Sequence, residues 1–307
     1  MTDELLIRSP HNPILTAEQW PYPMNSVMNA AATIVGDETL LLVRVEDRRG
    51  FSHLTVARSA DGETDWRIDE TPLIAPQHHY EEWGVEDPRI TWFPDEKLWV
   101  IAYTAFSPRG TMVALARTTD FVTIDRLGPV VVPDDKNAVI LPCRVDGDYL
   151  MYHRPSLRSE MPGVWCSRSK DLVTWSSERR VMGPRAGNFW DCKRIGMGTP
   201  PIWTEHGWLA FYHGVREAVA GDLYRVGAVL LDLEDPAVVL HRTQEWLLTP
   251  RARYEQIGDV PGVLFPCGAV VEGDALRLYY GAADTTVGMA QGSLSRITQH
   301  LLGCPPD

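Results

Sequence analysis

Apolar residues along this chain come in short β-branched and aromatic runs broken by Gly, Asp, Asn and Pro, and almost no stretch sustains the 3.6-residue period of an amphipathic helix. The pattern predicts an all-β fold. The runs also repeat. Ala31 to Val43 is followed by Leu54 to Ser59 and Asp61-Gly62 with Trp66; Ile90 to Thr104 is followed by Met112 to Arg117 and Asp120-Phe121-Val122-Thr123-Ile124. Val139 to His153 is followed by Gly163 to Ser169 and Asp171-Leu172-Val173-Thr174-Trp175. A fourth copy runs from Pro200 through Tyr212 and Val226 to Leu233, with Asp235-Pro236 at its turn, and a fifth from Gly268 through Tyr279 to Met289. Each reads strand, turn, strand, loop, strand, turn, strand. Starts near residues 30, 88, 137, 199 and 266 give a period of roughly 50–65 residues, the length of a four-stranded propeller blade. The expected fold is a five-bladed β-propeller with its active site in the central channel, residues 1–307 forming a single domain and residues 1–29 closing or latching the ring. A pair of β-sandwiches is the alternative.

Composition narrows the class. At 307 residues, 44% hydrophobic and 23% charged, the chain can bury a full core. The longest apolar runs, such as Leu40 to Val43 and Ala228 to Leu231, are far too short to cross a bilayer, and Met1-Thr2-Asp3-Glu4 lacks a basic leader region, so the expected location is cytoplasmic. Five cysteines without a CxxC pair indicate neither a zinc site nor a disulfide framework. A net charge of −12 argues against nucleic-acid binding, so an anionic ligand must meet a local basic cluster. No metal and no cofactor is expected, because the acids are scattered singly among basic residues. Eleven Trp and ten Tyr offer flat faces for sugar rings, although most serve as core filler in an ordinary β-protein.

The stretch Gly84-Val85-Glu86-Asp87-Pro88-Arg89-Ile90 places two carboxylates and an arginine at the mouth of an apolar strand. Pro88 suits a strand's first residue and pushes Asp87 toward extended geometry. Alternation then puts Asp87 and Arg89 on one face and Glu86 on the other. In isolation such an Asp caps a turn and pairs with its arginine. Polar residues recur at the same stage of the other repeats: Asn29 and Arg44 to Arg49; Lys136-Asn137 and His153-Arg154-Pro155; Asp191, Lys193, Tyr212-His213 and Tyr224; and Tyr280-Gly281-Ala282-Ala283-Asp284. Blade symmetry would bring them to one end of one channel.

The motifs Arg44-Val45-Glu46-Asp47-Arg48, Gly84 to Arg89, Lys136 to Pro142, His153-Arg154-Pro155, Gly198-Thr199-Pro200-Pro201, Tyr212-His213-Gly214-Val215 and Tyr280 to Asp284 resemble, in that order, glycoside hydrolase family 130. The resemblance runs from about Asn12 to Leu301. It implies a five-bladed propeller and an inverting glycoside phosphorylase, a hexosyltransferase-type enzyme. Inorganic phosphate, as co-substrate, would attack a non-reducing-end β-mannosyl residue to give α-mannose 1-phosphate. By the resemblance Asp87 is the general acid, acting directly or through a sugar hydroxyl, with a pKa raised for that task. Arg154, Lys193, His213 and Tyr224 match phosphate-binding positions, and Asn29, Arg48, Lys136, Asn137 and Asp284 match positions that hold the mannosyl ring and its neighbour. Lys136 stands where many relatives carry arginine, which would make a bidentate contact monodentate. The bland reading of Lys193 is a surface ion pair with Asp191, and of His213 a satisfied core histidine. A β-mannoside hydrolase of the same family is the competing enzyme, disfavoured because Lys193 and His213 stand where hydrolases carry glutamates. A sugar-binding propeller has no reason to collect phosphate ligands, and a furanosidase-type propeller would need further channel carboxylates. Linkage (β-1,2 or β-1,4), acceptor, and exchange of segments within a homo-oligomer are open on the sequence.

Overall fold

Leu40, Leu41, Leu42 and Val43 are all fully buried, which a strand achieves only when both of its faces are covered. In the computed structural model, which describes residues 4–131, 133–156, 162–219 and 221–307, the two faces of this strand meet different neighbours. Leu40 and Leu42 pack with Ile90, Ile101 and Tyr103, whereas Leu41 and Val43 pack with Val270, Tyr279 and Met289. Each such side chain contributes roughly 1.5–3 kcal/mol on burial.

That double packing is repeated round a ring of five blades. Blade I comprises Ser26–Val35, Glu38–Glu46, Ser52–Ser59 and the short Arg67–Ile68. Blade II is Gly84–Phe93, Leu98–Ser107, Gly110–Thr118 and Asp125–Pro129. Blade III is Asp135–Ile140, Tyr149–Pro155, Val164–Ser169 and Ser176–Met182. Blade IV is Arg194–Met197, Gly207–Ala218, Gly221–Leu231 and Val239–Arg242, and blade V is Leu264–Glu272, Ala275–Ala282 and Thr286–Ser293. Neighbouring strands within each blade run antiparallel. A core cluster fills each junction: I–II, II–III around Phe93, Val113 and Met151, III–IV around Tyr152, Ile195 and Trp208, IV–V around Phe211, Val226 and Leu278, and V–I. The β-sandwich alternative is thereby excluded.

The N-terminal segment supplies blade V with its outermost strand, Leu6–Arg8 pairing antiparallel with Thr286–Ser293. Arg8 reaches onward to the fully buried Glu255 at 2.7 Å. The Asp residues that mark the first three repeats in the sequence are turn formers, and in the fourth Asp232 takes that part beside Asp235, whose Oδ1 accepts the Ala237 N–H. One Oδ1 accepts two successive backbone N–H groups at Asp61 (Glu63, Thr64), Asp120 (Val122, Thr123), Asp171 (Val173, Thr174) and Asp232 (Glu234, Asp235).

Blade IV departs from the expected start near residue 199. Its inner strand is Arg194–Met197 and ends at Gly198-Thr199-Pro200-Pro201, whose prolines lack the N–H a ladder needs. Thr199 Oγ1 takes the Phe211 N–H there instead. Among the described residues, Cys143, Cys166, Cys192, Cys267 and Cys304 are free thiols, and no helix is long and apolar enough to cross a membrane.

Candidate active site in the central channel

Three inner strands carry a bulge at the same place. The register shifts between Met28 and Ala31, between Glu86 and Arg89, and between Lys136 and Val139, and within these gaps Asn29, Asp87 and Asn137 hold φ of +48°, +48° and +58°. Asn and Asp tolerate this left-handed region better than other side-chain-bearing residues. A bulge bends its strand and re-aims the side chain, here into the channel. Pro88 therefore lies inside its strand rather than at its first residue, and Asp87 is left-handed rather than extended. The extra residue also breaks the alternation. Glu86 and Asp87 both reach Arg44, so the expectation that they face opposite ways is corrected.

The cavity so formed, of about 180 Å³, is lined by Asn29, Arg44, Glu86, Asp87, Lys136, Asn137, Arg154, His213, Tyr224 and Asp284, with Val260, Val263 and Phe265 as its apolar wall. It is smaller than the roughly 300–1,000 Å³ of drug-sized ligand pockets. Blades I, II and V make the acid side. Arg44 Nη1 donates to Asp87 Oδ1 at 3.0 Å and Nη2 to Glu86 Oε1 at 3.0 Å, while Asn29 Nδ2 donates to Asp87 Oδ1 at 2.8 Å. Arg89 lies deeper along the channel, fully buried and bonded to the Asp87 and Gly198 carbonyls, where it braces blade II against blade IV.

The two sides differ in electrostatics. Burial pushes the Asp87 carboxyl up, but the Arg44 and Arg89 charges and the bonds from Asn29 and Arg44 outweigh it, and the group is held below the ordinary carboxylate range. This corrects the expectation of a raised value. The raised carboxyls are Glu86 and Asp284. Burial lifts both against the pull of Arg44, with Asp87 adding repulsion, and Asp284 reaches about 6.

Blades III and IV make the cationic side. Burial, then repulsion from Arg194, lowers Arg154 to about 10, and burial with repulsion from Arg154 lowers Lys136. Burial and the charges of Arg154, Arg89, Arg194 and Lys136 hold His213 neutral, well below its ordinary value. Arg154 makes no ion pair among the described residues, and Arg154 Nε, His213 Nδ1, Asn29 Oδ1 and both polar atoms of Asn137 are buried without a hydrogen-bond partner there. Orphaned polar groups in one cavity cost about 1–3 kcal/mol each unless a polar ligand satisfies them.

The family model described as beta-1,4-mannooligosaccharide phosphorylase matches residues 10–301 of this chain. The chain belongs to glycoside hydrolase family 130. Among family relatives, a beta-1,2-mannobiose phosphorylase of Listeria innocua is 39% identical over 259 residues, covering 82% of this chain and 71% of that one. A beta-1,4-mannooligosaccharide phosphorylase of Ruminococcus albus is 34% identical over 97% of this chain and 91% of its own length. The solved Listeria innocua beta-1,2-mannobiose phosphorylase, in complex with beta-1,2-mannobiose, superposes with a TM-score of 0.89 at 30% identity, covering 97% of this chain and 99% of that one. The five-bladed propeller is the family-130 fold.

Of the residues the sequence pointed to, Asp87, Arg154, His213, Tyr224, Asn29, Lys136, Asn137 and Asp284 line this one cavity, and Arg48 and Lys193 do not. Arg48 is exposed at the tip of the hairpin following Glu38–Glu46, and Arg44, three residues before the hairpin tip begins, fills the channel instead. Lys193 Nζ sits at the rim, on Asp222 Oδ1 at 2.7 Å and near Glu217 at 3.7 Å rather than on Asp191. Its neighbour Arg194 bonds Tyr224 and Asp222 and acts electrostatically on Arg154 and His213. The signal was register: Gly196 pairs with His213 and Arg194 lies two residues before it, on the same face. Glu86 was missed because the bulge hides the alternation that would have placed it, and Arg44 because only spacing chose Arg48 among the arginines of that hairpin.

Proposed function

We propose that this chain is an inverting phosphorylase that transfers a non-reducing-end β-mannosyl residue to inorganic phosphate, releasing α-mannose 1-phosphate and a shortened acceptor. The single observation that carries the reading is Arg154: a buried guanidinium in the cavity with no carboxylate partner among the described residues, flanked by Lys136, Arg194, neutral His213 and Tyr224. Such a cradle suits an anion, since guanidinium and imidazole N–H groups and a phenol satisfy phosphate oxygens.

The ring supplies the stereochemistry. The cations of the cradle come from blades III and IV and the acid from blade II, so phosphate and proton donor approach a sugar between them from different sides. A phosphate oxygen bonds to the anomeric carbon, the glycosidic C–O bond breaks, and Asp87 protonates the departing oxygen, directly or through a sugar hydroxyl. Monohydrogen phosphate and the glycoside become a sugar phosphate dianion and an alcohol, so the reaction consumes no net proton. Asp87 is ionised in the unliganded cavity; an anion bound among the cations, and exclusion of water by the sugar, both act to raise its pKa. Asn29, Asn137, Arg44, Lys136 and Asp284 are the ring-holding groups.

Hydrolysis would require a second carboxylate about 6.5–9.5 Å away to activate water. Glu86 shares the Arg44 guanidinium with Asp87 and so lies on the acid's own side. The test is the reverse reaction: α-mannose 1-phosphate is supplied with mannose, glucose or N-acetylglucosamine, and inorganic phosphate is measured. Release that depends on an acceptor is expected and names that acceptor. Release without any acceptor, or from the β-phosphate only, would overturn the proposal.

A further inference from the structure

Behind Arg154 lies a buried chain of three side chains that the reading above does not use. His153 Nδ1 is 2.6 Å from Asp135 Oδ2, and His153 Nε2 is 2.9 Å from Ser167 Oγ. The order Asp, His, Ser has the spacing of an acyl-transfer triad, but Asp135, His153 and Ser167 are only 2%, 1% and 1% exposed, so no substrate reaches the serine. What the chain does touch is the cationic side of the cavity. The second oxygen, Asp135 Oδ1, accepts the backbone N–H of Arg154 at 3.1 Å. Asp135 is also the residue before Lys136, and Lys136 pairs directly with Arg154 across the two strands. One carboxylate therefore fixes both strands at the point where their cations enter the channel, and the imidazole, held from behind by a hydroxyl on the third strand, fixes that carboxylate.

We propose that Asp135, His153 and Ser167 are positioning residues for phosphate, holding Arg154 in register for the anion beside the neighbouring charge of Lys136. The need is physical. Among the described residues Arg154 has no carboxylate of its own to orient it, and Lys136 and Arg154 repel each other, so the backbone beneath them must hold the pair against that repulsion. A displacement of about 1 Å at a positioning group can cost on the order of 10²-fold in rate. The proposal rests on Arg154 being a phosphate ligand.

The test compares His153→Phe, His153→Asn and Ser167→Ala in the full chain, with separate KM values for phosphate and for the mannoside. His153→Phe removes both ring contacts, and His153→Asn keeps a donor toward Asp135. The expected result is a phosphate KM raised at least about tenfold in His153→Phe, and within about threefold of the parent in His153→Asn, with the mannoside KM within about twofold in both. Ser167→Ala, which removes a single hydroxyl and serves if His153→Phe does not fold, is expected to raise the phosphate KM about two- to fivefold. Unchanged phosphate KM in the folded variants, or parallel changes in both KM values that follow loss of Tm, would overturn it. Arg154→Ala separates the two readings: if it leaves the phosphate KM unchanged, the phosphate assignment itself falls, whereas if only Arg154→Ala raises it, the positioning role alone falls.

Discussion

At the scale of single residues, the cavity is decided by neighbours one position apart. Arg194, not Lys193, bonds Tyr224 and loads the His213 and Arg154 side of the channel, while Lys193 is committed to Asp222 at the rim. Arg194→Ala is accordingly expected to raise the phosphate KM at least about tenfold and Lys193→Ala less than about threefold; initial rates over a phosphate series decide, and the reverse ranking would put the lysine in the cradle. Asp284 gives a second residue-scale expectation. Its folded pKa of about 6 lies above the unfolded value of about 3.9. The stability it contributes is therefore full below pH ~4 and is lost as pH rises through ~6. Asp284→Asn, which does not titrate, should gain on the parent by up to roughly 3 kcal/mol between about pH 3 and pH 8, read as a Tm difference that grows with pH and levels off above about pH 7. Activity should fall, because the same carboxylate lines the cavity. The residue types here were legible in the sequence, since Asn29, Asp87 and Asn137 recur at one stage of successive repeats, but their left-handed backbone was not. The choice between Arg44 and Arg48, or Lys193 and Arg194, was not, because it depends on which side of a strand pair each side chain leaves.

At the scale of the strand, the recurring bulge is the device that brings polar side chains of three blades into one cavity. A regular inner strand would send Asp87 and Glu86 to opposite faces. The bulge at Asp87-Pro88 delivers both to Arg44, and its counterparts deliver Asn29 and Asn137. The chain around them has been cut to fit. A Cβ on Gly281 would come within 1.9 Å of Asn29 Oδ1 and 2.9 Å of its backbone nitrogen, so Gly281→Ala must displace Asn29 from Asp87. The expected outcome is a kcat at least about tenfold lower with a stability cost of about 1–3 kcal/mol, checked by steady-state kinetics beside thermal unfolding. A variant with full activity would mean that the Asn29 to Asp87 bond is dispensable. The repeat itself was legible because Asp61, Asp120 and Asp171 mark the same turn in successive blades. The short inner strand of blade IV was not, since Gly198 to Pro201 reads as a turn before a strand when it is a break within one.

At the scale of the whole molecule, five apolar junctions and one terminal strand close the ring. Leu6–Arg8 completes blade V, and Arg8 neutralises Glu255, which also takes the Tyr280 hydroxyl and the Arg251 and Ala252 N–H groups. Arg8→Ala would leave a buried carboxylate without its cation and is expected to cost about 3 kcal/mol, seen as a lower midpoint in denaturant, with both KM values unchanged because Glu255 lies outside the cavity. A changed KM would mean that closure at blade V reaches the site. The ring also accounts for the division of labour in the channel, with Asp87 on blade II and Arg154, without an ion-pair partner among the described residues, on blade III. That arrangement is what the proposed reaction needs, and its most direct test is a phosphorus NMR time course of the enzyme with β-1,2- and β-1,4-mannobiose and inorganic phosphate. The account predicts that a sugar phosphomonoester signal of the α anomer grows as inorganic phosphate is consumed, with no free mannose beyond the released acceptor. Two mannose molecules released per disaccharide, with the inorganic phosphate signal unchanged, would contradict it.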